Sequence, residues 1–161
     1  MSRLDPAWLN AQYNNRELVP DHPKQLAHWA EASVLSRRQS DCRLDVRYGD
    51  GALENLDVFT TGRPTAPVLV FIHGGYWRSL DKSDFSFIAP AFNAAGALVV
   101  VPNYALCPAV SIEHICRQLV NALQWAWRHA AEYGGDPQRI VVAGHSAGGH
   151  LATMMLSCRW K

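Results

Sequence analysis

Three short runs, 68–72 (VLVFI), 97–101 (ALVVV) and 140–143 (IVVA), are unbroken by any polar residue and rich in β-branched side chains. A strand with one wet face alternates apolar and polar residues, so an unbroken run predicts a strand covered on both faces, as in a parallel sheet flanked by helices. The stretches between the runs agree. Ser83 predicts the cap of a helix that reaches Asn93 and stops at Gly96. Ser111 predicts the cap of a longer helix whose stripe of Ile112, Cys116, Leu119, Leu123, Ala126 and Ala130 repeats at the helical period. Gly134 and Gly135 close it, and Asp136-Pro137 is expected to turn into the next strand.

Residues 43–48 (RLDVRY) and 55–59 (NLDVF) do alternate, and Gly49, Asp50 and Gly51 between them predict an antiparallel hairpin. The expected architecture is therefore α/β: a mostly parallel sheet whose first strands are antiparallel, flanked by helices. Residues 1–40 are polar with scattered apolar anchors and are interrupted by Pro20 and Pro23, which predicts an N-terminal helical segment of two short helices around a turn. The α/β unit then occupies residues 41–161.

Composition narrows the function. With 48% hydrophobic and 18% charged residues the chain can close a core, which excludes disorder. A net charge of +1 without a basic run excludes the many phosphate contacts of a nucleic-acid binder. The longest apolar stretch, 66–72, is too short to span a bilayer, and the polar start MSRLDPAWLN lacks a signal-peptide core, so a cytoplasmic protein with no membrane partner is expected. Cys42, Cys107, Cys116 and Cys158 form no C-x-x-C pair, and the seven histidines form no metal-binding spacing; no metal and no cofactor are expected.

Two motifs carry chemistry. Gly144-His145-Ser146-Ala147-Gly148 follows the third apolar run and opens a helical stretch. A G-x-S-x-G there sets a serine on a sharp strand-to-helix turn, where side chains two residues before or after it would collide; the Ala147 N–H falls at a helix N-terminus, able to donate to a developing oxyanion. The first apolar run leads directly into His73-Gly74-Gly75-Tyr76-Trp77, whose paired glycines let backbone N–H groups approach a ligand. Either could be an ordinary glycine-rich turn, with Tyr76 and Trp77 as core anchors, but the two occur in the order and contexts that one active site requires.

These motifs, with Tyr13-Asn14-Asn15-Arg16, the stretch 78–87 (RSLDKSDFSF), Pro102-Asn103-Tyr104 and the stretch 134–150, resemble the N-terminal half of an α/β-hydrolase. The likeness is to the esterase/lipase group carrying H-G-G-x-W and, within it, to the kynurenine formamidase (arylformamidase) branch. The resemblance implies an α/β-hydrolase fold, Ser146 as nucleophile, and the N–H groups of Gly74, Gly75 and Ala147 as the oxyanion hole. It implies that His73 shapes its loop and is not the base, and that Tyr76, Trp77 and His145 belong to the motif or the pocket. His145 and His150 are expected to diverge from the serine hydroxyl.

In this fold the acid and then the histidine follow the serine, yet the 15 residues after Ser146 contain no acid and a single histidine, His150. The resemblance thus implies that the C-terminal strands, with the acid and base, are missing here, that strand 140–143 lacks its outer neighbour, and that this stretch alone is nearly inactive. The expected partner is a small-molecule amide or ester, best N-formylkynurenine, with a homodimer left open. Two alternatives stand beside it: a carboxylesterase acting on short-chain or aromatic esters, and a non-catalytic α/β module.

Overall fold

Five strands form one mixed sheet: β1 (Cys42–Arg47), β2 (Asn55–Phe59), β3 (Ala66–Ile72), β4 (Leu98–Pro102) and β5 (Gly135–Gly144), in the spatial order β1-β2-β4-β3-β5. The structure, a computed structural model, describes residues 5–160. The hairpin β1–β2 and the pair β2–β4 are antiparallel, while β4–β3 and β3–β5 are parallel. Helices α1 (Pro6–Tyr13), α2 (Asn15–Leu18) and α3 (His22–Gln39) precede the sheet. A 3₁₀ segment (Lys82–Ile88) running into α4 (Ala89–Ala94) makes the first parallel crossover, and α5 (Ile112–His129) makes the second. After β5 the chain turns into α6 (Ala147–Met154).

The unbroken apolar runs are explained by two cores, one on each face of the sheet. Val68, Val70, Ile72, Leu98 and Val100 pack against Ile115 and Leu119 of α5 and Leu151 of α6. Their neighbours Leu69, Val99 and Val101 point the other way, onto Phe85 and Ala89. Fully burying each such side chain contributes roughly 1.5–3 kcal/mol, so the alternate residues of one strand hold helices on opposite faces. Among the described residues β5 is an outer strand, and its Val141 is 59% exposed. No helix of the described residues is long and apolar enough to cross a membrane.

Several local expectations are corrected. The N-terminal segment holds three helices, one of them 18 residues long, in place of two short ones. Pro23 lies in the first turn of α3, where a backbone N–H has no helical partner to lose, so it starts the helix and does not break it. The buried residues of that helix are Ser33 and Ser36, which leaves no apolar stripe to read. Ser33 Oγ accepts from Phe87 N at 3.1 Å, and Arg37 donates to Ser86 Oγ at 2.9 Å and to the Ser83 carbonyl, fastening α3 to the 3₁₀ segment.

The cap of that 3₁₀ segment is Asp81, not Ser83. The Asp81 carboxylate accepts from Ser83 N at 2.9 Å, and Asp84 accepts from Asp81 N at 3.0 Å, a reciprocal box. In α5, capped by Ser111 as expected, Ile115 and Ala122 are buried while Ile112 is 38% exposed, so the inward face is rotated from the stripe read in sequence. Asp136-Pro137 lies within β5 and does not precede it. Gly135 already pairs with Ala66, and the register then shifts before Ile140 meets Val68, so the irregularity holds a proline that has no N–H to give.

Candidate active site

The parallel register pairs Ile72 with Gly144, so β3 and β5 end side by side and their following loops leave the same edge of the sheet. His145 N reaches back to Ile72 O at 3.2 Å. Ser146 then adopts φ 54° and ψ −118°, a region that costs a non-glycine residue about 1–3 kcal/mol, and α6 begins at the next residue. Gly148 N closes the turn on His145 O at 2.8 Å. Ser146 is exposed, whereas Ala147 and Gly148 are buried beneath it. The structure thus sets a strained serine at a strand-to-helix junction.

The loop after β3 lies against this turn. A Cβ placed on Gly74 would sit 2.8 Å from His145 O and 3.3 Å from Ser146 Cβ, so the Gly74 backbone is in contact range of the serine. Gly75 has φ +113°, and a Cβ there would meet Ser79 O at 1.9 Å; only glycine fits. Its carbonyl is held by the Ser79 hydroxyl at 2.8 Å, and Arg16 Nη2 donates to that hydroxyl at 3.0 Å, tying the N-terminal segment to the loop. Tyr76 and Trp77 follow with φ 57° and 60°. Tyr76 is 69% exposed and is no core anchor, whereas Trp77 is partly buried and its indole N–H has no hydrogen-bond partner.

The histidines divide by environment. His73 is fully buried, stacked on Tyr104 with centroids 4.2 Å apart and 8° between planes. Burial lowers its pKa, against the raising pull of its bonds to Gly74 O and Asn103 and of the Asp81 and Asp84 carboxylates. His145 sets its ring edge-on to Trp29 of α3, centroids 5.9 Å apart, and His150 sets its ring edge-on to Trp77 at 5.3 Å. Among the described residues no histidine hydrogen-bonds the Ser146 hydroxyl. Above the serine opens a cleft of about 1090 Å³, roofed by Tyr13, Arg16 and Trp29 of the N-terminal helices and floored by Tyr76, His145 and Ser146.

Behind the loop lies a buried polar chain that the sequence reading did not assemble. Asn103, directly after β4, places Oδ1 3.1 Å from His73 Nε2 and donates through Nδ2 to Asp81 at 2.6 Å. Lys82 joins Asp57 at 2.5 Å and Asp45 at 2.8 Å. Burial presses against the Lys82 charge, but the bonds and charges of Asp45 and Asp57 raise its pKa above the ordinary lysine value. For Asp81, burial is outweighed by the Ser83 and Asn103 donors and the Lys82 charge, so its carboxyl titrates below the ordinary range. The one sequence signal was a polar residue, Asn103, at the end of an apolar run.

A mixed sheet with antiparallel leading strands, a strained serine after β5 and a glycine pair after β3 define the α/β-hydrolase fold. The chain belongs to the BD-FAE family, an α/β-hydrolase esterase family, matched over residues 56–158. It is 33% identical over 164 residues to a kynurenine formamidase of Salmo salar, covering 98% of this chain and 52% of that protein. It is 42% identical over 95 residues to the carboxylesterase NlhH of Mycobacterium tuberculosis, covering 58% of this chain and 30% of that enzyme. A solved structure from Silicibacter sp. TM1040, of a protein proposed to be a thioesterase, superposes with TM-score 0.82 at 37% identity, over 92% of this chain and 55% of that one. The chain spans about half the length of the kynurenine formamidases it matches.

Proposed function

We propose that the protein is a serine hydrolase that deformylates an arylformamide, converting N-formylkynurenine to kynurenine and formate. The observation that carries the reading is the strained, exposed Ser146 at φ 54°, set against a glycine pair whose first member would place a Cβ 3.3 Å from the serine Cβ. Similarity to the salmon formamidase runs through 98% of the chain and so takes in the helices roofing the cleft, whereas similarity to the mycobacterial carboxylesterase covers 58%. That difference favours the formamidase over the carboxylesterase.

In this scheme Ser146 Oγ attacks the formyl carbon, and the carbonyl oxygen becomes an oxyanion that accepts from the N–H groups of Gly74, Gly75 and Ala147. A base takes the Oγ proton and passes it to the arylamine nitrogen as the C–N bond breaks, leaving a formyl ester on Ser146. Water adds to that ester, and formate departs as the hydroxyl is restored. Neither His145 nor His150 is assigned as that base, because their rings are set against Trp29 and Trp77, and in this fold the acid and then the histidine follow the serine. His73 shapes the loop, and Tyr76, Trp77 and His145 shape the pocket.

The test compares full-length protein on N-formylkynurenine and on a short-chain aryl ester, with Ser146→Ala beside it. Formyl release that disappears in Ser146→Ala at an unchanged unfolding midpoint supports the reading. Preference for the aryl ester replaces the formamidase by the carboxylesterase, and turnover that survives Ser146→Ala refutes a serine hydrolase. Without a positioned base, the 161 residues alone should keep only roughly 10³–10⁴-fold acceleration over water.

A further inference from the structure

The cleft above Ser146 carries one sign of charge. Its permanently charged side chains are the guanidiniums of Arg16, on α2, and Arg78, in the loop after β3, and among the described residues no aspartate or glutamate lines it. Neither arginine forms an ion pair among those residues. The neighbouring acids are turned to other partners: Glu17 accepts from Asn14 Nδ2 at 2.9 Å, Asp21 pairs with Lys24 at 2.9 Å, and Asp5 caps α1. A guanidinium stays protonated across the physiological range, so a cleft lined by two of them and by no carboxylate holds a positive potential that favours an anionic group on whatever enters.

Arg16 is also held in place. Its Nη2 donates to Ser79 Oγ at 3.0 Å, and Ser79 Oγ donates in turn to Gly75 O at 2.8 Å. One donor of the guanidinium's five is thus spent on a neutral hydroxyl, and the group is fixed two hydrogen bonds from the glycine loop with the rest of its fork open to a ligand. Arg78 lies over the Tyr76 ring, its Cζ 5.9 Å from the centroid. A tether to Ser79 alone would need a single donor. A planar fork fixed beside a reactive serine can bind a carboxylate through two parallel N–H···O bonds, with little freedom left to lose on binding. Tyr13, Trp29 and Tyr76 line the same cleft and supply flat apolar surface for an aromatic ring.

We infer that Arg16, with Arg78 adding charge, is a specificity-determining residue of this site, taking a carboxylate carried on the substrate's side chain, remote from the reacting formyl carbon. The inference rests on the serine hydrolase reading and narrows its substrate to an anionic arylformamide. N-formylkynurenine has such a group, at the end of the side chain attached next to the formamide, and a neutral arylformamide lacks it. The remote contact helps to hold the formyl carbon at Ser146 Oγ.

The test compares kcat/KM of the full-length protein on N-formylkynurenine and on its α-carboxamide, which keeps the formamide and neutralises the carboxylate. The expected ratio is about tenfold or more in favour of the carboxylate, expressed in KM. A wild-type ratio near one overturns the inference, whatever any variant does. Arg16→Met should collapse the ratio by raising KM for N-formylkynurenine more than for the carboxamide, and Arg16→Lys, which keeps the charge without the fork, should leave an intermediate ratio. Equal losses on both substrates in Arg16→Met would reduce the residue to a tether of Ser79 and overturn its assigned role, as would a ratio that collapses in Arg78→Met and survives in Arg16→Met. A full-length protein that cleaves neither formamide refutes the formamidase reading alone, and the charge selection is then read on 4-acetoxybenzoate against 4-acetoxybenzamide. A preference for the benzoate that Arg16→Met abolishes leaves the inference standing, and equal rates overturn it.

Discussion

Gly148→Ala and Gly149→Ala should act in opposite ways although the residues are adjacent. A Cβ on Gly148 would lie 2.0 Å from Ile72 O and 2.6 Å from His73 O, both backbone atoms at the end of β3. That strand is held between β4 and β5 and cannot yield, so α6 must retreat by more than an ångström to restore van der Waals contact. Overpacking of this kind costs about 1–3 kcal/mol, here at the upper end because no flexible side chain can absorb it. The retreat carries Ala147 N–H with it, and if that group is the oxyanion donor proposed above, a misplacement near 1 Å should cost about a hundredfold in turnover. A Cβ on Gly149 would meet the Gly144 carbonyl, its oxygen at 3.3 Å, a tight contact that a shift of a few tenths of an ångström relieves, inside a helix where alanine gains about 0.5–1 kcal/mol over glycine. Urea unfolding of wild type and both variants, read by circular dichroism, measures the difference. The reasoning is refuted if Gly148→Ala is as stable as wild type or loses less than Gly149→Ala.

Lys82→Met should cost about 3–5 kcal/mol in the same assay, because it strands the fully buried Asp57 carboxylate; adding Asp57→Asn, which keeps an acceptor for Asp45 N, should recover at least half, and no recovery would show that the charge is not the cause. The folded Lys82 pKa is raised, so its contribution is whole below the unfolded value and lost as pH climbs through the folded one; the gap between wild type and Lys82→Met should close only in strong alkali, and a gap that closes near neutrality contradicts the pairing. Asp81 has the opposite sign: with its folded pKa depressed, it stabilises above the ordinary carboxylate value and less as pH falls below it, so Asp81→Asn should flatten the acid limb of the stability curve. Gly75→Ala, forced against Ser79 O at φ +113°, should lower turnover of the full-length protein about 10²–10³-fold while shifting the unfolding midpoint less than Gly148→Ala does.

What could be read from the sequence follows from how far apart the interacting residues lie. The buried strands were legible because coverage on both faces removes polar residues from the run, a local signal. Helix α3 was not, since its inward face uses Ser33 and Ser36 to grip the 3₁₀ segment and shows no apolar period. The α5 stripe fitted two rotations, and only packing on the sheet chose the one that buries Ile115 and exposes Ile112. The two motifs were legible because their glycines are dictated locally. The chain from His73 through Asn103 to Asp81, and the Lys82–Asp57 pair, join residues 30, 22 and 25 positions apart, and nothing in a single sequence links them.

The two motifs form one mechanical unit, which is why they occur together. A Cβ on Gly144 would strike Gly148 O at 2.2 Å, and one on Gly148 would strike the end of β3, so the turn bearing Ser146 closes on itself and seats on the strand that feeds the glycine loop. That loop seats back on the turn through Gly74, whose Cβ position is 2.8 Å from His145 O. Backbone against backbone leaves no side chain to relax, so the strained φ of Ser146 is held by the parallel register of β3 with β5 and by helix α6 docked on it. Side chains enter one layer behind: His73 pins the Gly74 carbonyl, and Ser79, backed by Arg16, pins the Gly75 carbonyl. Two successive peptide planes are thereby fixed, one by the buried polar chain and the other by the N-terminal segment.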